Sequence, residues 1–370
     1  MDGAIRAIAT RPASKMREIE EKVLSGERLT LEDGLFLYRE ADLLELGRLA
    51  DEFNRRLNGL NVYFVQNMSL YFTNVCEERC AFCHFRRDEG EPGAYTVAPD
   101  EMIEYVRRHY HPDMREFHIT GGHNPHMPFE YYVECVRTLK RHFPDVTIKA
   151  YTAAEIDFFA KISGLSYEDV LRTLMEAGVE TLPGGGAEIL SERYRRKMRV
   201  EKASVHEWLQ VHRTAHRLGM KTHATMLYGL VETLEERLEH MILLRELQDE
   251  TGGFLVFVPN AVQPAPGLRD IRRRVPATDS LRTIAVSRLM LDNFPHIKAY
   301  FINLGVELTQ LALSFGASDV HGTIVQERIS HSAGAKSPEG LTRDELVWLI
   351  RGAGRVPVER DTFYRVIRTY

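Results

Sequence analysis

Cysteine is scarce in this chain, four residues in 370, too few for the disulfide framework that holds small secreted folds together. Long apolar runs are missing too. No uninterrupted stretch could span a bilayer, and the opening segment MDGAIRAIATRPASKMREIEEKVLSGERL has no apolar core of signal-peptide length. The expected location is therefore cytoplasmic, with no membrane partner. Positive charge is not in excess: 48 Lys and Arg stand against 53 Asp and Glu, a net charge of -5, which argues against a surface built for nucleic acid or anionic lipid. Low-complexity linkers and repeats of solenoid period are absent as well. The chain reads as one domain with terminal extensions: 1–61 as a helical lead-in, 62–335 as the body, and 336–370 as a closing helix and tail.

Residues 15–58 place apolar side chains at helical spacing, with Thr30 and Asp42 at cap-like positions. From Val62 onward short apolar segments alternate with longer amphipathic ones, the pattern of a parallel sheet in the α/β class. The expected strands are MSLYFTN, REFHITGG, VTIKAYT, GVETLPGG, KTHATMLYG, GGFLVFVPN, HIKAYFINLG and DVHGTIVQ. Strands of this number, with helices between them, suggest a TIM-type (β/α)8 barrel, whose catalytic groups sit at the C-terminal strand ends. A doubly wound open sheet is the competing arrangement, and periodicity does not separate the two.

Cys76, Cys80 and Cys83 form C-x3-C-x2-C directly after the first of these strands. In a reducing compartment, clustered thiols serve metal or redox chemistry. A closed zinc site needs a fourth ligand, such as His84. An electron-transfer ferredoxin brings four cysteines, whereas three thiolates around a four-iron cube leave one iron open to an external ligand. Cys135, in YYVECVRTLK, reads as a buried helix residue. The triple glycine 184–186 lacks the G-x-G-x-x-G order of a dinucleotide fingerprint and no Lys-Ser/Thr follows it, so nucleotide-triphosphate chemistry is rejected.

This cysteine spacing, with Phe82 before the last thiol, resembles the signature of the radical S-adenosylmethionine (SAM) superfamily. The resemblance implies a [4Fe-4S] cluster held by Cys76, Cys80 and Cys83, with SAM chelating the open iron and Phe82 beside it. It further implies that Gly121 and Gly122 of HITGGHNP meet the SAM amino group, and that the backbone around Leu227 in TMLYGLVET lies along the adenine with Glu232 tying down the loop. Thr225 stands where relatives have the first glycine of that segment. Glu188 is a candidate ligand of the SAM ribose or the substrate, and His331, beside small residues after the last strand, takes a substrate-side position. His118 and His223 could point into the barrel from their strands, while His212, His216 and His240 fall on helices outside the site.

Within the superfamily, LPGGGAEIL, ATMLYG and RELQDETGGF are shared with enzymes of the futalosine and deazaflavin pathways. IKAYTAAEIDFFAKISGLS and DVHGTIVQERISHSAGA are most similar to the aminofutalosine (aminodeoxyfutalosine) synthase family of menaquinone biosynthesis. The chain departs from that family at Leu230, Gln263, Pro266 and His321. The likeness implies a transferase in which the deoxyadenosyl radical adds to the enolpyruvyl double bond of 3-[(1-carboxyvinyl)oxy]benzoate, giving 6-amino-6-deoxyfutalosine, methionine and bicarbonate. It also implies a reductant protein such as flavodoxin or ferredoxin. Cyclic dehypoxanthine futalosine synthase and FO synthase are the neighbouring enzyme readings, and a zinc-binding protein is the non-enzymatic one.

Overall fold

The computed structural model describes residues 2–264 and 274–370, with side chains described from residue 13 onward; Pro266 lies outside the described residues. The strands are β1 (Asn61–Val65), β2 (Asn67–Leu70), β3 (Glu116–Ile119), β4 (Thr147–Ala150), β5 (Val179–Leu182), β6 (Lys221–Tyr228), β7 (Phe254–Ala261), β8 (His296–Ile297), β9 (Asp319–Gly322), β10 (Val356–Arg360) and β11 (Val366–Thr369). Strands β2 to β8 form a seven-stranded sheet in sequence order, and every pairing in it is parallel. Parallel neighbours need helical crossovers, and helices stand between successive strands from β2 to β8.

Strand β9 closes the ring. On one side the Ser318 N–H donates to the Ile297 carbonyl and the Ala299 N–H to that of Asp319; on the other, the Thr323 N–H donates to Val65 and the Ser69 N–H to Ile324. The arrangement is the expected α/β barrel, with one strand shorter than its sequence suggests. HIKAYFINLG is extended only at His296–Ile297 and then turns into the helix Phe301–Leu304, which Gly305 at φ 87 ends as it starts the next.

The crossover helices begin where side chains satisfy their unpaired N–H groups. Capping boxes at Thr152, Ser204, Thr233 and Thr342 each pair a hydroxyl with a glutamate three residues on. Thr30 and Asp42 cap lead-in helices as expected. Those helices, Leu31–Arg39 and Leu43–Asn58, lie against the barrel's outer helices so closely that a Cβ on Gly34 would meet Leu238, and one on Gly47 would meet Phe315. The tail differs from a helix and simple coil. After the helix Arg343–Gly352, β10 pairs parallel with β1 and turns into β11 antiparallel. The Asp361 carboxylate, which accepts from the Phe363 and Arg365 N–H groups, fixes that turn.

Candidate active site

The loop after β2 carries all three clustered cysteines, and backbone bonds to three separate segments hold its shape. The Cys76 N–H donates to the Arg87 carbonyl at 3.1 Å, Glu77 to His123 at 3.0 Å, and Ala81 to Met198 at 3.0 Å. Cys76, Cys80 and Cys83 line one wall of a cavity of about 350 Å³ at the C-terminal end of the barrel. Cys80 is buried and the other two are half-buried. Burial pushes the Cys80 thiol up to about 12 and raises Cys76 as well, so these groups become thiolates only where a metal's charge replaces the proton. Among the described residues, no three His, Cys, Asp or Glu side chains gather about one point as a zinc ion requires, and His84 Nδ1 lies against the Phe82 carbonyl at 3.1 Å. Three thiols spread over one cavity wall fit a larger, multi-iron group better. Cys135 is buried within the helix Phe129–His142 and does not line the cavity.

Gly121 and Gly122 follow β3 and face the same space. Their N–H groups are used within the protein: Gly121 donates to Glu155 at 3.0 Å and Gly122 to the Thr73 carbonyl at 2.8 Å. The carbonyl oxygens are therefore the groups with which this strip can accept from a ligand's N–H. A Cβ on Gly122 would overlap the Val75 carbonyl oxygen, and one on Gly121 would come within 2.9 Å of that of Thr73. Glu155, which burial raises above the usual carboxylate range, also accepts from Thr120 and Thr152. The sequence reading overlooked it as a site residue, although T-x-x-E at 152–155 is a legible capping box. His123 stacks on Phe158 with ring centroids 4.9 Å apart and meets Glu78 through Nδ1 at 3.2 Å.

On the opposite wall the Leu227 N–H donates to the Glu188 carbonyl at 2.9 Å, joining the end of β6 to the loop after β5. Glu188 adopts φ 48, a left-handed conformation, and its carboxylate accepts from Lys202 at 2.6 Å. Lys202 also lies 5.9 Å from the Phe82 ring centre. It was missed because a lysine in a polar loop looks like an ordinary surface residue.

Two of the expected site residues, Glu232 and His331, stand off the cavity wall. Glu232 is not part of the cavity wall. Its carboxylate accepts from the Gly229 N–H at 2.5 Å and the Leu230 N–H at 2.9 Å and pairs with Arg237, the contacts of a residue that ties down the loop. His331 is likewise turned away: Nδ1 meets Glu327 at 2.8 Å and Nε2 meets the Ser337 carbonyl at 2.8 Å. Burial works against its charge, but Ser337 and Glu327 outweigh that and raise its pKa above that of a free histidine. Glu327 and Ser330 line the cavity in its place.

The floor was not foreseen as a unit. Barrel interiors of this kind are usually filled by branched apolar side chains, yet here Ser69, His118, Lys149, His223, Lys298 and His321 face the cavity. Lys149 pairs with Glu116 at 2.5 Å, and Arg360 binds Asp319 through two N–H groups at 2.9 and 2.6 Å. Burial would raise Glu116, but the charges of Lys149 and Arg360 hold it down to about 2. Burial keeps His118, His223 and His321 well below the usual imidazole range, so all three are neutral. The helical histidines His212, His216 and His240 are bonded to Thr222, Thr251 and the Leu190 N–H, away from the cavity.

Comparison with known proteins agrees with this geometry. Residues 70–244 match the model of the radical SAM superfamily, and residues 251–369 match the CofH/MqnC C-terminal region. The aminodeoxyfutalosine synthase of Thermus thermophilus is 51% identical over 95% of this chain and 96% of its own, and that of Streptomyces coelicolor is 44% identical over 97% and 95%. A 5-amino-6-(D-ribitylamino)uracil–L-tyrosine 4-hydroxyphenyl transferase of Methanosarcina barkeri is 38% identical over 95% and 94%. Among solved structures, methylornithine synthase superposes with a TM-score of 0.70 at 20% identity, covering 92% of this chain and 97% of that one. The [FeFe]-hydrogenase maturase HydG superposes with 0.72 at 17%, covering 97% and 79%.

Proposed function

We propose, from a chain that belongs to the radical SAM superfamily and to its CofH/MqnC group, that this enzyme is an aminodeoxyfutalosine synthase. The reaction joins the adenosyl carbon of SAM to the enolpyruvyl group of 3-[(1-carboxyvinyl)oxy]benzoate and releases methionine and bicarbonate. The observation that carries this reading is the 51% identity to the Thermus thermophilus synthase, which spans nearly the whole of both chains.

Cys76, Cys80 and Cys83 would hold a [4Fe-4S] cluster, which supplies the electron that cleaves SAM. The carbonyls of Gly121 and Gly122 suit the SAM amino group, since an amine whose lone pair is taken by iron can only donate. The backbone at Leu227 flanks the adenine, and the Glu188 carboxylate is within the same wall. Phe82, Leu227, Val258 and Ile329 give that space apolar surface, and a reactive radical needs a site from which water is excluded. Glu232 acts at one remove, by setting the loop after β6.

The electron reaches the site from a small acidic carrier such as flavodoxin or ferredoxin. Support comes from the outer side of the cysteine loop, where Arg79, Arg86 and Arg87 are paired with Asp88 and Glu91 and the excess positive charge is Arg199 together with Arg196 and Lys197, exposed on the adjoining segment. Opposite charge on a small partner speeds encounter and sets its orientation.

The test is anaerobic reconstitution, reduction with dithionite, and mass analysis with SAM labelled in the adenosyl carbon. The expected result is label in an adduct of the enolpyruvyl benzoate. Label recovered wholly as 5′-deoxyadenosine, with the aryl substrate present and consumed, would exclude addition and favour a hydrogen-abstracting relative.

A further inference from the structure

The barrel floor holds an unbalanced charge. Lys149, Lys298 and Arg360 are buried together with the carboxylates of Glu116 and Asp319, three cations against two anions, and the remaining floor groups are neutral histidines. Lys149 has Glu116 and Arg360 has Asp319 as close partners, which leaves Lys298 as the excess charge. Its Nζ is 3.5 Å from Asp319, already bound by Arg360, and lies 3.0 Å from Nδ1 of His321. Lys149 and Lys298 both face the cavity, whereas Glu116, Asp319 and Arg360 lie behind them. His223 faces the same space, is 3% exposed, and its Nε2 has no hydrogen-bond partner among the described residues. A buried cation without its own anion and a buried ring nitrogen without a partner are each costly, and one anion placed between them would relieve both.

We propose that Lys298, Lys149 and His223 form a subsite for the ring carboxylate of the aryl substrate; this rests on the functional reading above. An excess of one charge matches a carboxylate better than a dianionic phosphate. Position selects which of the two substrate carboxylates it is. The enolpyruvyl double bond has to meet the adenosyl carbon near the cysteine loop, at the strand ends, and the carboxylate attached to it stays there. Lys149, His223 and Lys298 lie deeper, within β4, within β6 and directly after β8, where only the far side of the benzene ring reaches. The subsite would thus fix how far the substrate enters and hold its alkene at the level of SAM.

The test uses the reconstituted holoenzyme with SAM, not reduced, and measures equilibrium binding of 3-[(1-carboxyvinyl)oxy]benzoate and of 2-phenoxyacrylate, which lacks only the ring carboxylate. A charge-assisted bond is worth about 1.5–3 kcal/mol, so the wild type should bind the diacid roughly 10- to 150-fold more tightly. Lys298→Met should remove most of that difference by weakening the diacid alone, with iron content and SAM affinity unchanged, and Lys298→Arg should restore part of it. Equal binding of the two ligands by the wild type overturns the subsite, and so does a Lys298→Met variant that weakens both alike. The wild-type comparison decides the matter even where Lys298→Met does not fold. No binding of the diacid by the wild type overturns both the subsite and the functional reading; binding without dependence on the ring carboxylate overturns the subsite alone.

Discussion

At Gly122 there is no space for even one more carbon on the side of the Val75 carbonyl, and the next residue along that loop is Cys76, the proposed cluster ligand. A side chain here displaces the ligand loop, which lies outside the main core, more than it disturbs the barrel. Gly122→Val is expected to lower SAM affinity at least about tenfold while shifting the thermal midpoint by only a few degrees. Parallel loss of both would mean that the glycine serves merely to turn the chain. Lys298 supports a second expectation. Burial lowers its pKa to about 8, and around it stand Asp319 and His321 on β9, Lys149 on β4, Glu116 and His118 on β3, His223 on β6 and Arg360 on β10. Raising the pH through that value removes the ammonium and with it the attraction for a carboxylate. The kcat/KM for the aryl substrate should therefore fall above about pH 8, and Lys298→Arg should lift that limb of the profile out of the range; an unchanged limb in the variant would assign it to another group.

Among the elements, the loop after β6 depends on one side chain. Removing the Glu232 carboxylate leaves the Gly229 and Leu230 N–H groups unpaired and takes from Arg237 one of its two carboxylates, the other being Asp279. Glu232→Ala should cost about 2–4 kcal/mol in urea unfolding, and a loss below about 1 kcal/mol would show that the loop stands without it. The eight barrel strands were legible because a crossover fold writes apolar runs between amphipathic ones, and the cysteines because their spacing admits few chemistries. The floor was not. Strands of a parallel sheet are covered on both faces, so VTIKAYT shows no alternation to reveal that Lys149 points inward. His331 misled for a related reason: its distance from the last strand was right, but the i,i+4 pairing with Glu327 that turns its ring away is a property of the short turn Ile329–Ser332. The closing hairpin was hidden in a stretch whose charged residues resemble a solvated tail, although Arg360 is fully buried.

For the whole molecule, exposed Arg196, Lys197 and Arg199 lie beside the cysteine loop while the net charge is -5, and the proposal of an acidic electron carrier is tested there. Reversing Arg196 and Arg199 to Glu should slow turnover driven by flavodoxin or ferredoxin severalfold and reduce its salt dependence, with dithionite-driven turnover unchanged. Equal loss with both reductants would place these arginines in the fold or the site.

Strand β1 lies between β9 and β10, so residues 61–65 are made early and find neither neighbour until the last quarter of the chain exists. Contacts so distant in sequence close slowly. During synthesis the strand β2, and the cysteine loop attached to it, has β3 on one side and nothing on the other. Ribosome-bound chains that end before Val356 should accordingly stay open to protease around β1, and iron delivered at that stage would meet thiols on an unfinished wall. For a cluster bound by that loop, maturation would in this sense be a matter of timing, because the open side of β2 is covered only by residues 319–324.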